Sequence, residues 1–158
     1  MMTRLLYEGF AVHGDDLVLL RRGEVLPFPR RLGVRPPTVA LIPQLASLLA
    51  PGRAATTREL AVDPSELGFA WFIEPAPVDA VFFLEPNRGG ATWLEVCPKF
   101  VMAERVMALS TTPAGGAGQW VGDICAMLER ALCHVLHFGD LAAAGSALKE
   151  ALQGLRKP

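Results

Sequence analysis

The stretch that decides both the fold and the function lies near the start of the chain and reads Phe10-Ala11-Val12-His13-Gly14-Asp15-Asp16-Leu17-Val18-Leu19-Leu20. Two apolar half-strands flank a histidine, a glycine and two adjacent carboxylates. Side chains of an extended segment alternate between faces, so at most one of Asp15 and Asp16 faces a given pocket. Burying a carboxylate in apolar surroundings is costly unless a metal, a proton or a hydrogen-bond donor compensates it. The pair is therefore either exposed in a tight turn at Gly14-Asp15 or part of a functional site.

The composition fits one domain with no electrostatic preference for polyanions. The chain has 158 residues, enough to bury a sizeable core, and a formal net charge of −1 with 20% charged residues. This balance argues against a nucleic acid or an anionic membrane as partner. Apolar residues make up 51% of the chain and the mean hydropathy is +0.32. Such values indicate either alanine-rich helices or a face that another chain covers.

The sequence predicts a soluble, cytoplasmic protein. The best apolar run, from Val39 to Ala50, is shorter than the roughly 18 residues of a membrane span and is interrupted by Pro43. The apolar segment of a secretory signal is missing near the N-terminus. The three cysteines are an odd number without Cys-x-x-Cys spacing, which indicates reduced thiols and not a disulfide framework.

The order of the predicted elements is typical of an α/β domain. A short helix ends at the cap Gly9, residues 10–20 form a strand, a turn and a strand, and a return strand follows at 24–28. Pro27 and Pro29 predict that this return strand lies at a sheet edge. An irregular loop is predicted at 30–37, followed by a core helix at 39–49 that stops before Pro51-Gly52 and by a loop or helical turn at 53–67. Further strands are predicted at 69–73, 79–84, 92–96 and 133–138. Further helices are predicted at 98–109, 119–130 and 141–152, and Asp140 is the predicted N-cap of the last one. The run at 79–84 is apolar enough to predict a strand buried on both faces.

Several catalytic and metal-binding patterns are absent or poorly spaced. Cys133 and His137 share one face of a strand while His134 takes the other, so these ligand types do not converge on one metal ion. The glycine-rich loop at 111–118 is interpreted as a linker, because no Gly-Lys-Ser/Thr follows it. None of the lysines follows a glycine or precedes a serine or threonine. The sequence therefore has no Walker A loop to hold the β- and γ-phosphates of a nucleotide.

Residues 5–20, together with the run from Gly23 to Arg30, resemble the segment after the P-loop helix in the HPr serine kinase/phosphorylase-like family. In members of that family the corresponding segment contains, in order, a helix end, a glycine, a strand, an Asp-Asp pair, a second strand and a proline-containing loop. The run 81–85 together with Arg88-Gly89-Gly90, and the run 133–141, are similar to later strands of the family, so the resemblance spans most of the chain. It implies a mixed β-sheet flanked by helices, as a single, incomplete P-loop HPr-kinase-like domain over residues 1–158.

The resemblance also implies a set of site residues. By position, Asp15 and Asp16 are the catalytic candidates: a member of the pair takes the proton of an acceptor serine hydroxyl or helps to hold Mg²⁺. Asp16 is assigned as the candidate metal ligand, although the division of the two roles stays open. The implied contacts for a phosphate or for the acceptor are His13, Arg30, Arg31 and Arg88. Arg30 and Arg31 have a simpler interpretation as part of a solvated basic loop.

The strand, loop and helix that grip the nucleotide in the family have no counterpart in this sequence. Three interpretations remain: a truncated or wrongly started kinase, a non-catalytic relative kept as a binding subunit, or half of a split enzyme. No cofactor is expected on the chain alone, and Mg-ATP is expected if a P-loop partner completes it. The missing elements predict an apolar groove that a protein or peptide partner, or a second copy, covers. The leading hypothesis is an accessory, pseudokinase-type binding protein, and the alternative is an active ATP-dependent serine or peptide kinase.

Overall fold

The chain crosses three times between two units, each of which has its own hydrophobic core. The structure is a computed structural model that describes residues 1–49, 60–111 and 116–155. The first unit consists of Met1–Val18 and Pro27–Ile73, and the second of Leu19–Leu26 and Glu74–Pro158. The Asp-Asp pair belongs to the first unit, whereas the strands and helices of the C-terminal half belong to the second.

The elements are short in the first half of the chain and longer in the second. The described helices are α1 (Met2–Tyr7), α2 (Pro36–Leu41), α3 (Lys99–Leu109), α4 (Ala117–Arg130) and α5 (Leu141–Leu155), with 3-10 segments at Pro43–Leu49 and Pro64–Leu67. The described strands are β1 (Leu19–Arg21), β2 (Glu24–Leu26), β3 (Leu32–Val34), β4 (Leu60–Val62), β5 (Ala76–Pro77), β6 (Ala80–Pro86), β7 (Trp93–Val96) and β8 (Leu132–Phe138). They form three small sheets, with strand orders β1-β2-β5, β3-β4 and β6-β8-β7. The α/β class predicted from the sequence is therefore confirmed.

The first unit is built around Leu6, Val12 and Leu32, which are each 1% exposed. Helix α1 ends as predicted, because Gly9 has a φ of +93° and its N–H donates to the carbonyl of Leu6. Strand β3 pairs antiparallel with β4, and the buried residues of each strand alternate with exposed ones. This alternation places one face of the two-stranded sheet against the core.

Three predictions for the first unit need correction. The prediction of an irregular loop at 30–37 is wrong, because Leu32 and Val34 belong to β3 and pair with β4. The two prolines that follow begin α2, where a missing N–H is harmless. The core helix at 39–49 is divided, since α2 ends at Leu41 and Pro43 starts a 3-10 segment. The segment 53–67 contains the expected helical turn at Pro64–Leu67 but also β4, while 53–59 and Pro51-Gly52 lie outside the described residues.

The strands predicted at 10–12 and 69–73 are also wrong as regular elements. Val12 and Trp71 form an isolated parallel bridge, and the chain then bends at Asp15 and Asp16. Regular strand structure begins at Leu19, within the second unit. The Asp-Asp pair therefore sits on a bend and not within a strand, so the alternation argument does not apply to it.

In the second unit, the return strand predicted at 24–28 forms over Glu24–Leu26, but its predicted position at a sheet edge is wrong. Strand β2 is central, because it pairs antiparallel with both β1 and β5. Pro27 and Pro29 do not prevent this, since β2 ends at Leu26 and its three residues keep their N–H groups.

The main sheet of the second unit is mixed, with β8 at its centre. Strand β6 runs parallel to β8 and β7 runs antiparallel to it. The strand predicted at 79–84 forms as β6, but it is an edge strand with Leu84 40% exposed, so the prediction of burial on both faces is wrong. Buried residues of α3, α4 and β8 form the core, and α5 packs against β8. No helix among the described residues has both the length and the apolar composition of a transmembrane segment.

Candidate functional site

The bend that carries the Asp-Asp pair is fixed by backbone contacts. The N–H of Phe28 donates to the carbonyl oxygen of His13 at 2.8 Å. At Gly14, a Cβ atom would lie 3.1 Å from the carbonyl oxygens of both Leu17 and Phe28. A larger residue would have to displace backbone and not a flexible side chain. Glycine is therefore the residue that fits between the histidine and the aspartates.

Asp15 is tied to the neighbouring strand β3. Its Oδ2 accepts a hydrogen bond from the N–H of Gly33 at 2.8 Å. Burial lowers the pKa of the Met1 amino group, and the negative charge of Asp15 partly opposes this shift, so the amino group and the carboxylate interact electrostatically. A charged acceptor makes a stronger hydrogen bond to a backbone N–H than a neutral one does. The Asp15 side chain thus helps to hold the bend in place.

Asp16 is exposed and only loosely paired. Its Oδ1 lies 3.5 Å from a guanidinium nitrogen of Arg30, and the two side chains are 70% and 61% exposed. Exposed pairs of this kind contribute about 0 to 1 kcal/mol, because water and salt screen them. The Asp16 carboxylate is therefore accessible to an approaching cation or hydroxyl group.

His13 packs beside Phe72, with the two ring centroids 4.8 Å apart. Its Nδ1 atom is buried and has no hydrogen-bond partner among the described residues. The backbone of the same two segments is joined as well, since the N–H of Phe72 donates to the carbonyl of Val12 at 2.9 Å. The imidazole is thus held by apolar contact next to the bend.

The two other arginines of the candidate set lie elsewhere. Arg31 interacts electrostatically with Asp63, whose pKa is held below its ordinary value first by hydrogen bonds from the Ser65 hydroxyl and backbone N–H and, to a smaller extent, by the Arg31 charge. Arg88 is in the turn after β6, in the second unit. The structure therefore pairs Arg30 with Asp16 at the bend, holds the His13 ring against Phe72, and places Arg31 next to a structural carboxylate.

A second group of ionisable side chains lies on the main sheet of the second unit. The Nε2 atom of His137 is 3.1 Å from Oε2 of Glu95 on β7, and its Nδ1 atom is 3.5 Å from Oε2 of Glu85 on β6. The His137 side chain is 17% exposed, whereas those of Glu85 and Glu95 are 37% and 64% exposed. One imidazole thus has a carboxylate at each of its two nitrogens.

Neighbouring side chains fix this arrangement. Trp93 stacks on the His137 ring, with the centroids 4.3 Å apart and the planes 12° from parallel. Arg105 on α3 donates to Oε1 of Glu85 at 2.7 Å, and its guanidinium lies 4.3 Å from the centroid of the Phe83 ring. Among the described residues, no group of three or more His, Cys, Asp or Glu side chains is arranged so that the group could hold a metal ion.

Sequence reasoning missed this cluster because it tested only ligands close together in the chain. It placed Cys133 and His137 on one strand face and found no third local ligand. The partners instead come from adjacent strands, since Glu85 and Trp93 are each in register with His137. Period-two alternation alone could have shown that His137 shares a face with Val135, but not which strands flank β8.

Comparison of the chain with protein-family models, with curated proteins and with solved structures gave no match.

Proposed function

We propose that the chain is an HPr-kinase-like protein without its own nucleotide-binding P-loop, and that it acts as an accessory, pseudokinase-type binding protein. In this proposal the Asp-Asp bend marks a surface for a protein or peptide partner. The chain binds no nucleotide alone, and the family's catalytic pair has a structural and a recognition role.

The observation that carries the proposal is the hydrogen bond from the Gly33 N–H to Asp15 at 2.8 Å. This donor occupies one oxygen of the Asp15 carboxylate and uses it to hold the bend against β3. A general base or a magnesium ligand needs a carboxylate that is free to face the reacting group. Next to the pair, Leu17 and Val18 are 40% and 62% exposed, which supports an apolar contact with a partner.

Calorimetric titration of the purified chain with Mg-ATP tests the proposal. We expect no heat of binding up to millimolar nucleotide, and the same flat titration for Asp16→Asn. Binding of Mg-ATP at micromolar strength would refute the accessory role, and a tenfold weakening of that binding by Asp16→Asn would locate the nucleotide at the Asp-Asp bend. The variant is suitable because Asp16 is 70% exposed, so its replacement leaves the buried core intact.

The alternative function, an ATP-dependent serine or peptide kinase completed by another chain, is favoured by the exposure of Asp16. Its loose contact with Arg30 leaves the carboxylate accessible to Mg²⁺ or to an acceptor hydroxyl. Adding a polypeptide that carries a P-loop strand and helix, together with Mg-ATP and a serine peptide, distinguishes the two functions. Phosphopeptide formation that Asp16→Asn abolishes would establish the kinase, and its absence with a bound partner would support the accessory role.

A further inference from the structure

We propose that His137 and Glu95 bind a divalent transition-metal ion, in a site of the second unit that is independent of the Asp-Asp bend. The two chain ligands are the Nε2 atom of His137 and a carboxylate oxygen of Glu95. Water or a small-molecule ligand completes the coordination. The set of one imidazole nitrogen and one carboxylate oxygen suits Zn²⁺, Co²⁺ or Ni²⁺ better than Mg²⁺ or Ca²⁺, which prefer oxygen ligands.

The spacing of the two donor atoms fits one metal ion. Nε2 of His137 and Oε2 of Glu95 are 3.1 Å apart. Ligands at about 2.0–2.2 Å from a zinc ion, in tetrahedral or octahedral geometry, lie roughly 3 to 3.4 Å from each other. A cation can therefore enter between the two atoms with a small displacement of Glu95, whose side chain is 64% exposed and free to adjust.

The other nitrogen of His137 is positioned to orient the ring for metal binding. Metal-bound histidines usually donate their second N–H to a carboxylate, which fixes the tautomer and raises the basicity of the ligating nitrogen. Oε2 of Glu85 lies 3.5 Å from Nδ1, within ion-pair distance, and is the carboxylate proposed for this role. Arg105 in turn holds Glu85 through a hydrogen bond of 2.7 Å, so the orienting carboxylate is itself fixed.

The ring is preorganised in a second way by Trp93. The indole stacks on one face of the imidazole, with the planes 12° from parallel. A metal ion on Nε2 lies in the plane of the imidazole, so the stacked indole restricts ring rotation without blocking the ligating nitrogen. Sites whose ligands are already held near the bound geometry lose less entropy on binding.

The position of the cluster in the sheet also favours a binding site. His137 and Glu85 are the penultimate residues of β8 and β6, which are parallel neighbours. Ligands of α/β proteins bind preferentially beyond the carboxyl ends of parallel strands. The described fold therefore presents these two side chains at the end of the parallel strand pair where α/β proteins usually bind ligands.

Titration with Co²⁺ and with Zn²⁺ tests the proposal, with calorimetry for affinity and the visible spectrum of Co²⁺ for the ligand type. We use the Cys125→Ser variant as the reference protein, because Cys125 is an exposed thiol that would bind the same ions. We expect one site with nitrogen and oxygen ligands and no thiolate charge-transfer band.

Substitutions separate the proposed ligands from the surrounding surface. Glu95→Gln and His137→Gln each weaken binding at least tenfold, and Glu85→Gln weakens it about 10- to 100-fold by releasing the ring. Glu104→Gln is the matched control, because Glu104 is an exposed carboxylate on α3, next to Arg105 in the chain. We expect this substitution to leave the metal affinity unchanged. Glu95→Gln also guards against a folding artefact, since the exposed Glu95 is not part of the core.

The proposal is overturned by any of three results with the reference protein. These are no binding at millimolar metal, binding that Glu95→Gln leaves unchanged, and a cobalt spectrum with thiolate character. Broadening of the His137 ring signals by Co²⁺ in nuclear magnetic resonance spectra would support it, and broadening confined to other histidines would refute it. None of these outcomes depends on nucleotide or partner binding, so the test is separate from that of the proposed function.

Discussion

At the scale of single residues, backbone groups determine the geometry of the candidate site. The Gly33 N–H binds Asp15 and the carbonyl of His13 accepts from Phe28. Both contacts join segments that are distant in the sequence, and neither leaves a compositional signal. The residue types of the site could be selected from the sequence, but their roles depend on which N–H groups lie nearby. This is why the two adjacent aspartates, alike in the sequence, differ in the structure.

Replacing Gly14 with alanine should destabilise the first unit. The new Cβ atom would lie 3.1 Å from two carbonyl oxygens, and because both belong to the backbone, the bend must shift to accommodate it. We expect a loss of about 1–3 kcal/mol in the free energy of unfolding, measured by urea denaturation.

The control for this variant is Gly122→Ala on α4. Apart from its chain neighbours and the backbone of its own helix, no atom lies within 4 Å of the position where its Cβ would be. Alanine there should therefore stabilise the protein by about 0.5–1 kcal/mol. Equal effects of the two substitutions would contradict the close approach at Gly14.

At the scale of elements, the sequence predicted the helices of the second unit and the strands β7 and β8 well. Strong boundary signals explain this, such as Pro98 before α3 and Asp140 before α5. The short strands of the first unit were mostly missed. Val34 and Leu60 form a strand pair because their partners bury them, and a three-residue segment is too short to show alternation. The central position of β2 and the edge position of β6 likewise depend on which strands pair with them, and the local sequence does not show this.

Removal of the N-cap should measurably weaken α5. The Oδ1 atom of Asp140 accepts hydrogen bonds from the N–H groups of Ala142 and Ala143, both at 2.8 Å. Asp140→Ala leaves these donors without that acceptor, and we expect a loss of about 1 kcal/mol in the free energy of unfolding. Asp140→Asn should retain most of the stability, because an amide oxygen also caps. Calorimetric melting curves of the two variants provide the comparison, and equal melting temperatures would argue against the cap.

At the scale of the whole molecule, the arrangement of two units with separate cores was outside the reach of the sequence. The segment 19–26 belongs with the second unit although its neighbours on both sides belong to the first. Composition and periodicity describe local segments, whereas the unit to which segment 19–26 belongs depends on the core against which its hairpin packs. Leu20 contributes to the core of the second unit through contacts that span about a hundred residues of chain.

The reactivity of the three cysteine thiols can be used to follow unfolding of the second unit. Cys125 is exposed, whereas Cys97 and Cys133 are 6% and 5% exposed in the core. Burial, and to a smaller extent the nearby Cys97, raise the pKa of the Cys133 thiol above the ordinary value of 9.0. A maleimide followed by mass spectrometry should therefore give one fast adduct, on Cys125, and slow adducts on the other two thiols that accelerate in urea.

The raised pKa of Cys133 also fixes the sign of a pH effect. The folded state favours the neutral thiol, so this contribution to stability is fully present below pH 9 and is lost as the pH rises through the folded-state pKa. The free energy of unfolding should decrease in that alkaline range, and Cys133→Ala should remove this part of the decrease.

In the maleimide experiment, fast labelling of Cys133 at neutral pH would contradict its burial. The Cys125→Ser variant, which should show no fast adduct, is the control.

The central position of β8 has a consequence for biosynthesis. Strands β6 and β7 do not pair with each other, and each has β8 as its partner in the sheet. The ribosome must therefore deliver residues 132–138 before any part of that sheet can form. Until then the aromatic segments of β6 and β7 have no partner strand in this sheet, which leaves their edges open to aggregation during synthesis.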